Sequence, residues 1–371
     1  VVVIIQLSRD RRALRDKEEL FCRVNDAAMN RRTLLSLLPL AALLLAGCRP
    51  DGEKAAPSGG GGAPGPIRVV YIPKNTGNPY FDGIVAGMEK GCKELGAEFS
   101  TTAPAQPDAT AQIPFIKDEI QRGANVLCIT PNSVDALNSV LDEARQKGVK
   151  VITVNADLTG NESHRDLCVL PTDFDTLGAR QIELMGSLIG YAGKFAILSA
   201  TTDAPDQNYW IQGMKAALKD PKYARMQLVD TVYGDDKDQK SVTVAEGLLT
   251  RYPDLRGILA PTSVGVAAAA KVVESRKVSA RVAVTGLGTP NTMRRYIKDG
   301  IVPAVALWSP PELGTVAAYA AVALSKGELK PTEGAILDAG ALGKKAVRKN
   351  GVILAGPPLV FRKDNIDQYQ F

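Results

Sequence analysis

Short clusters of amides, hydroxyls, carboxylates and aromatic rings recur along the chain: Lys74-Asn75, Thr130-Pro131-Asn132, Asn155-Ala156-Asp157, Asp206-Gln207, Pro261-Thr262-Ser263, Gly286-Leu287-Gly288 and Trp308. Aspartate and asparagine accept paired hydrogen bonds from vicinal hydroxyls, and a lysine donates to ring or hydroxyl oxygens. Bonds made by the charged members are roughly twice as strong as neutral ones. Tyr80, Phe81 and Trp308 present ring faces that suit the C–H faces of a sugar. This is chemistry for holding a neutral polyol without transforming it.

A reaction would need parts that the sequence lacks. Lys74-Asn75-Thr76-Gly77-Asn78 stands where a dinucleotide fingerprint G-x-G-x-x-G would follow the first strand. Neither a phosphate loop of the form G-x-x-x-x-G-K-[ST] nor a G-x-S-x-G elbow occurs. Gly286-Leu287-Gly288 alone reads as a tight turn. The one histidine, His164, has no second histidine to help it hold a metal and reads as a loop residue. No catalytic residue, metal or cofactor is therefore expected.

Each candidate also has a plain structural reading. Lys74 suits a solvated surface, and Asp206 suits the cap of a helix carrying Trp210, Ile211 and Met214. Tyr80 and Phe81 fit a helix core, Asn155 and Asp157 fit turn chemistry, and Trp308 fits packing at a hinge. Asp235, Asp236 and Asp238, interleaved with Lys237 and Lys240, read as a solvated loop.

These clusters need a frame, and the hydrophobic pattern supplies one. Apolar runs at 68–72, 125–130, 150–155, 195–199, 227–233, 257–260, 282–285 and 302–307 read as strands, most followed by helical stretches. After the first, Asn78-Pro79 reads as a cap and first helical position. Phe81, Ile84, Val85, Met88, Cys92 and Leu95 then recur along one helix face, and Gly96 stops it. The next strand leads to a helix with Val134, Leu137, Val140, Leu141 and Ala144 inward, closed by Gly148. Alternating β and α units predict an α/β fold of two doubly wound parallel-sheet lobes. Ligands in such folds sit outside the carboxyl ends of strands, where the polar clusters fall.

Composition agrees with a globular body. The chain has 371 residues, 45% hydrophobic and 23% charged, with a net charge of +5 that suggests no nucleic-acid surface. Cys92, Cys128 and Cys168 are too few and too uneven for a disulfide framework, and Cys128 reads as a buried thiol.

The N-terminal region has a different character. Residues 1–28, rich in arginine and ending before Met29, read as an over-extended start. Asn30-Arg31-Arg32, the apolar run 34–45 and Leu45-Ala46-Gly47-Cys48 resemble a bacterial lipoprotein signal at 29–47. The resemblance implies that Cys48 is lipidated and begins the mature chain; the alternative is an uncleaved hydrophobic anchor. Residues 48–66, with four consecutive glycines at 59–62, read as the anchor and a flexible tether.

From about residue 67 to the end, the chain resembles type I periplasmic sugar-binding proteins, the substrate-binding components of ABC importers. The likeness is carried by Tyr71-Ile72-Pro73-Lys74-Asn75 with Asn78-Pro79-Tyr80-Phe81, Asp206-Gln207-Asn208, Thr231-Val232-Tyr233-Gly234-Asp235-Asp236, Ala260-Pro261-Thr262-Ser263-Val264-Gly265 and Ala306-Leu307-Trp308. It points to the branch holding rhamnose-binding proteins and the autoinducer-2 receptor. That resemblance implies an N-terminal lobe of 67–161 plus 309–340 and a C-terminal lobe of 162–308 plus 341–371. Hinge crossings are expected near 158–170, 308–312 and 335–350.

The resemblance also implies ligand contacts from Lys74, Asp206, Gln207 and the Pro261 carbonyl. Asn155 stands where the autoinducer receptor has an aspartate, and Ser263 where it has an alanine. Both departures favour a pyranose such as rhamnose over the signalling furanose, which stands as the alternative ligand. The implied partners are a monosaccharide, an inner-membrane ABC permease and a membrane reached through the lipid. The expected state is a monomer outside the cytoplasm. A sugar-responsive repressor would share the body, but an export signal and tether occupy the place of its DNA-binding segment.

Overall fold

The computed structural model describes residues 65–371. The expected start, signal peptide, Cys48 and nearly all of the tether lie outside the described residues.

Two sheets organise the described chain. The first holds β1 (Arg68–Ile72), β2 (Glu98–Thr101), β3 (Val126–Ile129), β4 (Lys150–Val154) and β5 (Leu167–Leu170). It is extended by β11 (Ile336–Asp338), β12 (Lys344–Arg348) and β13 (Val352–Leu354), in the order β11-β12-β13-β5-β4-β3-β1-β2. The second holds β6 (Gly193–Ser199), β7 (Met226–Tyr233), β8 (Leu255–Ala260) and β9 (Ala283–Gly286), in the order β7-β6-β8-β9. A bridge between Leu287 and Ala306 brings in β10 (Val305–Leu307), which pairs antiparallel with β14 (Leu359–Phe361). Pairing is otherwise parallel except along β11-β12-β13. The helices are α1 (Pro79–Glu94), α2 (Ile113–Gln121), α3 (Asn138–Gln146), α4 (Phe174–Ile189), α5 (Pro205–Ala217), α6 (Asp238–Arg251), α7 (Ser263–Ser275), α8 (Pro290–Lys298) and α9 (Pro310–Lys326).

The central strands are buried because both faces carry helices: every residue of β3 and all but the first of β1 and β4 are buried. Asn78 caps α1 by accepting from the Tyr80 amide, with Pro79 at the first helical position. Helix α1 lies close against α9. A Cβ at Gly87 would fall 2.0 Å from the Pro311 carbonyl oxygen, so only glycine permits this approach.

Strand pairing corrects the expected lobe boundary. β5 lies between β4 and β13, so 167–170 belongs with the first sheet and the chain passes to the second across 171–173. β12 and β13 also lie in the first sheet, while β14 joins the second, so the last crossing falls at 355–358. Hydrogen bonding between edges outweighs proximity in sequence here. The second expected helix begins at Asn138, after Val134 and Leu137. His164 ends a 3₁₀ turn and meets the Asp142 carboxylate at 2.9 Å. Cys92, Cys128 and Cys168 are free and buried. No described helix is long and apolar enough to cross a membrane.

Candidate functional site

The carboxyl ends of β1 and β4 face those of β6, β7, β8, β9 and β10 across a cleft. From the first side come Lys74, Asn78, Tyr80, Phe81 and Asn155; from the other come Asp206, Gln207, Trp210, Asp236, Pro261, Thr262, Ser263, Leu287, Leu307 and Trp308. The cavity between them is ≈ 30 Å³ because its polar groups bond one another.

Lys74, beyond β1, donates from Nζ to Asp206 Oδ1 at 2.5 Å, with both side chains buried. Asp206 sits in the first turn of α5, where the helix dipole favours a negative charge. Its other oxygen accepts from Asn155 Nδ2 at 3.3 Å. Asn155 adopts φ 69°, a left-handed conformation that asparagine tolerates. Its Oδ1 accepts from the Tyr80 hydroxyl, and Tyr80 in turn accepts from Trp308 Nε1 at 2.6 Å. Burial pushes the Tyr80 phenol well above its usual range, against the opposing Trp308 bond, so this hydroxyl keeps its proton and donates.

Behind these groups stands a support of fixed amides. Asn132 donates to the Lys74 carbonyl at 2.9 Å, and buried Gln112 donates to the Pro73 and Thr130 carbonyls at 3.0 and 2.8 Å. These bonds hold the end of β1 and the Lys74 backbone against the end of β3. On the opposite wall Trp210 packs edge-on against Trp308, with Phe174 edge-on to Trp210 at a centroid distance of 5.0 Å. Two buried polar atoms of the wall, Gln207 Oε1 and Trp210 Nε1, bond to no protein group among the described residues. They suit a hydroxylated guest, one as acceptor and the other as donor.

The structure brings together Lys74, Tyr80, Phe81, Asn155, Asp206, Gln207, Pro261, Ser263 and Trp308. It does not bring in Asp157. Arg165 donates to both Asp157 oxygens, at 2.5 and 2.6 Å, and the Thr153 hydroxyl and Leu158 amide add further bonds. A carboxylate so saturated braces the end of β4 and has little capacity left for a ligand. The solvated-loop reading of 235–238 also changes. Asp235 pairs outward with Lys240, whereas Asp236 turns into the cavity and accepts from the Thr262 hydroxyl.

Sequence reasoning missed Trp210, Asp236 and Leu307 as cleft residues, and named Thr262 only within the 261–263 cluster, without a role of its own. Trp210 was within reach, since it lies four positions after Asp206 and therefore on the same helix face. Asp236 follows a strand end, as the other candidates do, but was hidden in a run of alternating charge.

Comparison with known proteins adds to this geometry. The profile of the periplasmic binding protein domain matches residues 69–329. The ribose import binding protein RbsB of Bacillus subtilis is 24% identical over 285 residues, 77% of this chain and 90% of that protein. A sugar ABC transporter structure from Actinomyces odontolyticus is 39% identical, with a TM-score of 0.67, covering 82% of this chain and 98% of that one. A solute-binding protein of Clostridium phytofermentas with bound L-rhamnose is 31% identical, with a TM-score of 0.78 and the same coverage. LsrB of Clostridium saccharobutylicum, in complex with AI-2, is 24% identical with a TM-score of 0.77, over 82% of this chain and all of that one, a likeness of fold.

Proposed function

Since the chain belongs to the periplasmic binding protein family, we propose that it is the sugar-binding component of an ABC importer and works outside the cytoplasm. Its ligand is a neutral monosaccharide, L-rhamnose or a related deoxyhexose, which it delivers unchanged to a membrane permease. The observation that carries this reading is the Lys74–Asp206 bond. It joins the end of a strand in one sheet to the start of a helix that follows a strand of the other.

A ligand-sized space opens only when the two sheets part. Parting releases Lys74, Asp206 and Asn155 from one another, and a sugar hydroxyl array then takes up the bonds they lose. Reclosure around the sugar gives each of these buried polar groups a partner on the ligand, so ligand shifts an open–closed balance toward the closed form. Lys74, Tyr80, Asn155, Asp206, Gln207, the Pro261 carbonyl and Ser263 supply the polar contacts. Phe81, Trp210, Leu287, Leu307 and Trp308 line the apolar part of the same cavity. A deoxyhexose carries a methyl group where an ordinary hexose carries a hydroxymethyl, and such a wall suits the methyl. The lipobox-like Cys48 supports tethering to the membrane by lipid.

Titration calorimetry with L-rhamnose, D-ribose, D-arabinose and the autoinducer-2 furanose tests the reading. L-Rhamnose is expected to bind tightest. Preference for the furanose would replace the importer ligand by the signal, and heat from none of them would overturn sugar binding altogether.

A further inference from the structure

Asp206 is not the only carboxylate facing the cleft. Asp236, in the loop between β7 and α6, is half-buried, and its side chain lines the same cavity as Lys74 and Asp206. Its direction is set by backbone. The Gly234 amide donates to the Ser199 carbonyl at 2.9 Å and the Asp235 amide to the Ala200 carbonyl at 2.9 Å, tying the loop to the end of β6. Gly234 passes so close to α6 that an added Cβ would lie 2.1 Å from Ser241 Oγ. Asp235 and Asp236 then take φ 53° and 48°, two successive left-handed residues. Such a turn is uncommon for residues other than glycine and persists where the surroundings over-determine it. It sends the first aspartate out to Lys240 and the second inward to Thr262.

We propose that Asp236 is a second ligand-binding carboxylate, which selects hydroxyl-rich neutral sugars and rejects sugar acids. This rests on the sugar-binding reading above. The charged groups lining the cavity are Lys74, Asp206 and Asp236, one cation against two anions. Lys74 pairs with Asp206 at 2.5 Å, and among the described residues no cation forms an ion pair with Asp236. Thr262 satisfies Oδ1, and no hydrogen bond to Oδ2 occurs among the described residues. An acceptor of that kind takes a hydroxyl donor with a charge-assisted bond and repels a carboxylate. Burial raises the Asp236 carboxyl above its usual range, against Thr262 and Lys74, with Asp206 and Asp235 adding to the rise. Its ionised form is the one that accepts, so sugar affinity declines on acidification sooner than an ordinary aspartate would cause.

The test compares the native protein with Asp236→Asn by calorimetry, using L-rhamnose, D-ribose, D-arabinose and the acid L-rhamnonate. The variant is expected to lose about 10- to 100-fold in affinity for the best-bound sugar. It should gain measurable affinity for L-rhamnonate and lose the decline of sugar affinity with falling pH. An unshifted melting temperature without ligand shows that the variant folds. If it does not fold, Thr262→Val, which unfastens the carboxylate without removing it, should weaken sugar binding by a smaller factor and keep the rejection of L-rhamnonate. It should also move the decline in affinity to higher pH, since the bond that holds the carboxyl down is gone. Unchanged sugar affinity and pH profile in that variant overturn the role of Asp236. A variant that binds sugar as tightly as the native protein, and still rejects L-rhamnonate, overturns the role of Asp236 and leaves the sugar reading intact. A native protein that binds none of the sugars overturns that reading first.

Discussion

Asp157 and Asp206 each meet a cation at 2.5 Å, yet they belong to regions with opposite roles. Arg165 and Asp157 lie eight residues apart in the same half of the molecule, and Arg165 also donates to the Asn350 carbonyl at 2.8 Å, binding the end of β4 to the turn before β13. Lys74 and Asp206 come from different sheets, and no strand pairing holds those sheets together at the cleft. The first pair stays made whenever its lobe is folded. In the proposed clamp, parting of the lobes breaks the second and admits a ligand between its partners. Distance and burial are alike in both, so what separates brace from binding site is whether the partners share a rigid body.

Arg165→Ala attacks the brace and should give the largest effect. It leaves a largely buried carboxylate without its cation, a loss of about 3 kcal/mol, read as a lowered midpoint in denaturant, while sugar affinity of the folded fraction is unchanged. Asp206→Ala attacks the cleft pair and should invert that pattern. Affinity falls at least about tenfold because a charge-assisted contact is gone, while the melting temperature without ligand barely moves, since parted lobes let Lys74 hydrate. An unaltered affinity in calorimetry would remove Asp206 from the contacts.

A third carboxylate sharpens the contrast from the exposed side. Glu183 accepts from Lys222, Tyr191 and Tyr223 at 2.6, 2.6 and 2.7 Å, which hold its pKa down to about 2 from 4.5. A depressed value means that the stabilisation is present above 4.5 and lost as pH falls through about 2. The side chain is 44% exposed, so solvent screening limits the contribution to at most about 1 kcal/mol. Glu183→Gln should therefore cost little at neutral pH, and the difference from the native protein should vanish in strong acid.

The frame of the cleft was legible because its strands are largely apolar runs, Arg68–Ile72 and Lys150–Val154 among them, each followed within two residues by a polar one. What escaped were strands without that signature. Lys344–Arg348 alternates exposed and half-buried positions with a single buried valine, and three-residue strands such as Val352–Leu354 are too short to show a period. β13 is placed by pairing with β5, a relation between residues nearly two hundred apart, and β12 is placed by pairing with β13. Asp157 misled because its type and place at a strand end match those of the cleft residues, and only the fold shows Arg165 at hand. Asp236 misled in the opposite direction. Two left-handed backbone angles decide which of the adjacent aspartates turns inward, and no composition or spacing records them.

The sequence contains two tryptophans, Trp210 and Trp308, and both stand in the wall of the cleft, 5.8 Å apart between centroids. Nearly all long-wavelength ultraviolet emission from the described body thus originates where the lobes meet. The proposed clamp therefore carries its own optical gauge: opening would wet both indoles at once, and the spectrum alone would follow it in real time, without any attached dye.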